Sequence, residues 1–189
     1  MAATDALNRQ PVLVGSLVLL RPLREGDFEA LYAVACDPLL WEQHPSSDRV
    51  QRDVFDRWFA AALASGGVLA AVDQTDGAVI GTSRFDRYDP GRREVEIGWT
   101  FLARSHWGGA YNAEMKRLML EHAFACVDVV VFRAHAGNVR SQRAIEKLGA
   151  DRVGTEDDPH GRGQTHIFRL NRSTFKAAEL PVSRQSPAT

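Results

Sequence analysis

The sequence predicts an α/β (α+β) protein around a mixed sheet, and three observations carry that expectation. The chain has 189 residues, 44% hydrophobic and 25% charged, which suits one globular domain with a sizeable core. Apolar residues recur at helical spacing up to Ala64, then alternate through three strand-like runs. From Tyr111 onward, helical and strand-like patterns interchange, as they do where a helix crosses over a sheet.

Each element has its own signal. Ser16–Leu23 is a short apolar run ended by proline and reads as a strand. Phe28, Leu31, Tyr32 and Ala35 then recur at helical spacing, with Asp27 near the start. Trp41–Arg49 is a loop by composition, with Pro45 and two serines. Val54, Phe55, Trp58, Phe59 and Ala62 form a second helical stripe within 50–64, stopped by Gly66 and Gly67. Val68–Asp73, Ala78–Phe85 and Glu94–Phe101 read as an antiparallel meander turned at QTDG and DPGR. A helix from about Tyr111 to Val127, a strand Val129–Ala134, a helix Asn138–Gly149 and a strand near Thr165–Leu170 complete the order. Residues 1–178 are read as the single domain and 179–189 as a loose tail.

Twenty-three Lys and Arg against 24 Asp and Glu give a net charge of −1. That balance makes no case for nucleic acid or an anionic membrane as partner. No apolar run has the length of a signal peptide or a membrane span, so a cytoplasmic protein is expected. Cys36 and Cys126 are isolated within apolar helical patterns and read as buried thiols. No cluster of His, Cys, Asp and Glu has metal-ligand spacing, so no metal is expected.

The chemistry concentrates in RSHWGGAYNAEMKRLML (Arg104–Leu120), where Gly108, Gly109 and Ala110 stand at the start of a strong helix. Met115, Leu118, Met119, Leu120, Ala123 and Phe124 give that helix a wide apolar arc; Glu114, Arg117 and Glu121 form the remaining polar one. The first-turn N–H groups of a helix lack partners and carry the positive end of its dipole. Stripping side chains from its start lets a phosphate approach them, or else serves a tight turn that binds nothing. Neither G-x-x-x-x-G-K-[ST] nor a strand-following G-x-G-x-x-G is present. In the preceding strand Val95, Ile97, Trp99 and Phe101 alternate with Glu94, Glu96, Gly98 and Thr100, one face packing and the other polar.

Three stretches together resemble the GCN5-related N-acetyltransferases, more closely the branch that acetylates N-termini of ribosomal proteins and its small-molecule relatives. They are Glu96-Ile-Gly-Trp99 (EIGY in that branch), His106–Met115 (YWGKGYATEA) and the N-x-x-S…K-x-G helix from Asn138 through Ser141 to Gly149. Ala110 stands where that family's core loop has its first fixed glycine, and Asn112 replaces its last small residue. The resemblance implies a central, mixed, mostly antiparallel sheet with helices on both faces and one parallel pair, Glu94–Leu102 beside Val129–Ala134, that splays apart.

It further implies acetyl-CoA as co-substrate and a primary amine as acceptor, in a monomer or homodimer. The pyrophosphate would rest on the N–H groups of Trp107, Gly108, Gly109, Ala110, Tyr111 and Asn112. Pantetheine would run beside Trp99, Thr100, Phe101 and Leu102, with Asn138 bonding one of its amides. Glu96 is the candidate general base, because an ammonium must lose a proton before it attacks a thioester, and Glu94 shares its face. Ser141 is the candidate donor to the leaving thiolate, against a plain helix-start role. Trp41 and His44 are candidates for the acceptor pocket, and His106 and His122 read as loop and packing histidines. A small-molecule amine or a peptide N-terminus fits as acceptor. A protein that holds an acyl-CoA without turnover is the alternative.

Overall fold

The computed structural model describes residues 6–158 and 161–176; the proposed tail lies outside them. Eight strands form one sheet: β1 (Leu13–Val14), β2 (Val18–Pro22), β3 (Val68–Asp73), β4 (Val79–Asp89), β5 (Glu94–Leu102), β6 (Val129–His135), β7 (Asp151–Asp157) and β8 (Gln164–Asn171). Their spatial order is β1-β2-β3-β4-β5-β6-β8-β7. Every adjacent pair is antiparallel except β5 and β6, which are parallel. The expected meander, the mixed sheet and the parallel pair are all present.

Four helices cover the sheet: α1 (Phe28–Ala35), α2 (Arg52–Ala64), α3 (Ala110–Phe124) and α4 (Val139–Glu146). On one face Met115, Met119, Leu120 and Ile145 of α3 and α4 pack against Phe85, Val95, Ile97, Phe132 and Phe168. On the other, Leu31 and Ala35 of α1 and Phe55 and Phe59 of α2 close over Val68, Ala70 and Phe101. The central β3 is buried along its whole length, which is why its sequence is a continuous apolar run up to Asp73.

The parallel pair decides where a ligand can enter. Its register is Glu94↔Val129, Val95↔Val130 and Glu96↔Val131, and there it ends. β5 continues to Leu102 and β6 to His135 without pairing, so the sheet opens into a V after Glu96. The β6-side backbone edge of β5 from Ile97 onward is left without a strand.

Sequence patterning names no element over DRVGTED; it forms β7, an edge strand paired to β8 and exposed almost throughout. Two expectations need correction. The cysteines are free thiols rather than buried ones: Cys36 is exposed just past α1, and Cys126, just past α3, is half-buried and packs against the core. Glu114 does not belong to a solvated arc. It is 8% exposed and accepts hydrogen bonds from the Ser16, Leu17 and Val18 N–H groups and the Ser16 hydroxyl, which fastens α3 to the β1–β2 turn.

Candidate active site

The start of α3 faces the mouth of the V. Gly109 caps it with φ 124° and ψ −49° and no side-chain hydrogen bond, and Gly108 has φ 105°. Both lie in the left-handed region that favours glycine, and a Cβ added at either would meet no atom within 4 Å. The glycines therefore serve the turn and leave space in front of it. Among the described residues none of the N–H groups of Gly108–Asn112 makes a hydrogen bond. Trp107 differs from its predicted role: its N–H donates to the Arg104 carbonyl at 3.1 Å and its indole to the Leu102 carbonyl at 2.9 Å. A hollow of about 210 Å³ lies at this mouth, lined by Leu17, His106, Trp107, Gly108, Ala110 and Tyr111.

Asp73, at the end of β3, anchors the loop and was not singled out in the sequence. Its Oδ2 is 3.0 Å from both His106 Nε2 and the Tyr111 hydroxyl, and its Oδ1 accepts the Thr75 N–H at 2.7 Å. Burial raises its pKa, but the bonds from Thr75, His106 and Tyr111 outweigh burial and bring it to about 2. His106 is thus a strut beside the start of α3 rather than a plain loop residue.

The alternation expected along β5 breaks at Trp99. Arg84↔Gly98 and Thr82↔Phe101 are paired, so β5 carries one extra residue, a bulge, and Trp99 has φ 50°. Beyond it the faces exchange: Phe101 joins the α1–α2 core, while Leu102 joins the α3 side. Thr100 turns toward α3 and meets Lys116, whose Nζ donates to Thr100 Oγ1 at 2.6 Å and Ser83 Oγ at 3.0 Å. The two hydroxyls are 2.8 Å apart. Lys116 is 6% exposed, and burial lowers its pKa to about 7. The signal for it in the sequence is a lysine within the apolar arc Met115–Leu120.

Of the predicted cofactor-strand residues, Thr100 is therefore engaged with Lys116, and Phe101 and Leu102 are buried. Trp99 lies half-buried under Arg84, 4.4 Å from ring centre to guanidinium. What β5 offers the opening is backbone.

Glu96 stands at the apex of the V, 4% exposed. Arg133 bonds its Oε2, and Arg87 lies 3.3 Å from the same oxygen. Its Oε1 points toward Gly98, 3.5 Å from where a Cβ would stand. Burial pushes the carboxyl above its usual pKa, partly offset by Arg133 and Arg87. Glu94 shares the face, as expected, and pairs with Arg169. Neither set of arginine partners was legible, because both arrive from β6, β8 and the β4–β5 hairpin.

α4 starts beside the V where β6 ends. Asn138 is its cap, buried, with Oδ1 accepting the Ser141 N–H at 3.1 Å. The Ser141 hydroxyl is half-buried and makes no hydrogen bond among the described residues. The α1–α2 connection leans on this turn: the Gln43 side chain accepts the Arg140 N–H at 3.0 Å, and the Leu40 carbonyl accepts from the Arg140 guanidinium at 3.0 Å. Arg140 also stacks on Trp107 at 4.0 Å, joining the starts of α3 and α4. His44 belongs to this roof. Trp41 is 3% exposed, with its indole N–H on the Ala35 carbonyl; it forms a wall rather than an open contact. His122 bonds the Asn8 carbonyl at 2.7 Å, a packing role.

The sequence profile of the Acetyltransferase (GNAT) domain matches residues 18–151. The chain belongs to the GNAT acetyltransferase family. Its fold is similar to a GCN5-related N-acetyltransferase from Brucella melitensis (21% identity, 90% of this chain and 81% of that one, TM-score 0.77). It is also similar to a probable GNAT-family acetyltransferase from Chromobacterium violaceum (20%, 90% and 92%, 0.79). A third likeness is to spermidine N-acetyltransferase from Vibrio cholerae in complex with CoA and spermine (13%, 84% and 98%, 0.66). Among the described residues no helix is long and apolar enough to cross a membrane, and no group of three or more metal-ligating side chains is present.

Proposed function

We propose that this chain transfers an acetyl group from acetyl-CoA to a primary amine by direct attack on the thioester, as a relative of the ribosomal-protein N-terminal acetyltransferases. The observation that carries the reading is the start of α3, whose five N–H groups from Gly108 to Asn112 have no partner among the described residues, opening on a splayed strand pair. Such a start receives a pyrophosphate. The free edge of β5 suits the amides of pantetheine, which pair with backbone as an added strand does. The CoA named in the Vibrio cholerae complex supports the same co-substrate.

In the proposed reaction Glu96 takes a proton from the ammonium, directly or through a water. Its burial favours the protonated form that results. The freed amine attacks the thioester carbonyl, forming the C–N bond. The C–S bond then breaks as the Ser141 hydroxyl protonates the leaving thiolate; the acylated nitrogen gives its second proton, through water, to the serine alkoxide, and Glu96 returns its own proton to solvent. Glu94, held by Arg169, is the reserve base on the same face.

Release of free CoA thiol with a panel of amines tests the reading. Glu96→Gln should lower kcat about 10²–10⁴-fold at neutral pH and recover part of that as rising pH deprotonates the amine. The Arg133 and Arg87 clasp favours a second reading, in which Glu96 is structural and the fold only binds acyl-CoA. CoA protection against heat with no thiol release from any amine would select it.

A further inference from the structure

The roof over the V contains a cation with no ion-pair partner among the described residues. The connection from α1 to α2 packs on β5 through Trp41 and, from α2, Trp58, whose ring centres lie 5.3 and 5.6 Å from that of Phe101. It touches α4 next to Ser141 through Leu40 and Gln43. It meets the β7–β8 loop where Arg162 donates to the Ser46 hydroxyl at 2.8 Å. Within it, the Arg49 guanidinium carbon sits 5.2 Å from the Trp41 ring centre and 5.6 Å from that of Trp58.

Cation–π contact with two indoles offsets part of the guanidinium's charge and leaves its five N–H donors without acceptors from those rings. Among the described residues Arg49 makes no hydrogen bond and no ion pair. It is half-buried, and burial brings its pKa down to about 10, only partly offset by Asp48 beside it. The surroundings add cations. His44, 5.4 Å from Trp41 between ring centres, has a pKa of about 3, through burial first and then Arg49, Arg162, His135 and Arg140. Of the acids here, Asp158 is committed to Arg162 at 3.2 Å, while Asp48 and Glu42 are exposed. A polycationic amine would meet like charge on this side of the site.

We infer that the acetyl acceptor carries an anionic group, a carboxylate or a phosphate, and that Arg49, stacked on Trp41 and Trp58, receives it while the amine reaches the thioester. The inference rests on the acetyltransferase reading of the same site. It turns the sign of the roof into a class of substrate, amino acids or amino-sugar phosphates rather than polyamines.

The test compares matched amines by CoA thiol release: leucine against leucinamide, glucosamine 6-phosphate against glucosamine, and spermidine. In at least one pair kcat/KM should favour the anionic member about ten- to a hundredfold, the value of a charge-assisted hydrogen bond; which pair responds tells carboxylate from phosphate. Arg49→Met, which keeps the stacked stem, should collapse that ratio toward one by raising the acceptor KM without raising that of acetyl-CoA. Arg49→Lys should restore part of it. Equal use of both members of each pair, or better use of spermidine, overturns the inference. So does an Arg49→Met variant with an undiminished ratio. If no amine releases thiol although CoA protects the protein against heat, titration of the CoA complex with the same five amines decides. Preferential binding of an anionic member that Arg49→Met abolishes upholds the inference, and its absence overturns it. Loss of CoA protection itself would instead count against the acetyltransferase reading.

Discussion

α3 and α4 begin at neighbouring points, one on each side of the V, yet their N-termini are finished in opposite ways. α4 is closed: Asn138 accepts the Ser141 N–H, and Gln43 reaches across from another element to accept that of Arg140. α3 is open: its cap is Gly109, no side chain bonds its first turn, and the turn before it has φ values that favour glycine. Both helices carry the same dipole and the same unpaired groups. One fold therefore spends side chains to satisfy one start and removes them from the other. The difference is what singles out α3 as the proposed anion seat, with Ser141 on α4 the proposed proton donor beside it.

The largest expected effect comes from placing the same charge at the first residue of each helix. Ala110→Asp should abolish the thermal protection given by CoA, which for a ligand at 1,000 times its Kd is about 4 kcal/mol. Val139→Asp, at the exposed first residue of α4, should leave that protection intact and stabilise the free protein by about 0.3–1 kcal/mol. Melting curves with and without CoA read both. Equal shifts in the two variants would erase the contrast between the helices.

The next effect probes what braces α3 from behind. Lys116 has a native pKa of about 7, below the ordinary value of about 10.4. Between those values the unfolded chain binds the extra proton, so stability should rise with pH, by up to about 1.4 kcal/mol per unit. Below pH 7 this contribution is flat. Lys116→Met should remove the slope, and a wild-type stability that does not climb from pH 7 to 9 would show the amine to be charged in the fold. Smaller again is Asn138→Ala, expected to cost about 1 kcal/mol as a lost cap. Denaturant melts measure that loss, and CoA titration of the same variant shows whether the side chain also bonds pantetheine.

The sharpness of the contrast was only half legible. Gly108, Gly109 and Ala110 announced an open helix start, and Asn138 with Ser141 announced a capped one, because caps are local and their residues are adjacent. Gln43, Glu114 and Asp73 were invisible in those roles. Each closes its bond across 33 to 98 positions of chain, and nothing in a polar loop or a helix arc says which distant group it will meet. The arginines on Glu96 and Glu94 are the same case: the carboxylates could be placed on one face of β5, but not the cations of the facing strands.

By itself the sequence determined the order of the helices and of six of the strands, the core face of each helix, the parallel pair through its family likeness, and the glycine turn at α3. These follow from periodicity and from backbone preferences that act over a few residues. The tertiary structure alone decided the bulge at Trp99, which moves Thr100 onto Lys116 and sends Phe101 to the opposite core. It also recruited DRVGTED as an edge strand, because pairing with β8 satisfies the backbone of a segment with little apolar surface to bury. And it set Arg49 against two indoles with no ion-pair partner among the described residues. Register, pairing and charge balance are properties of elements brought together, so they exist only once the chain has closed.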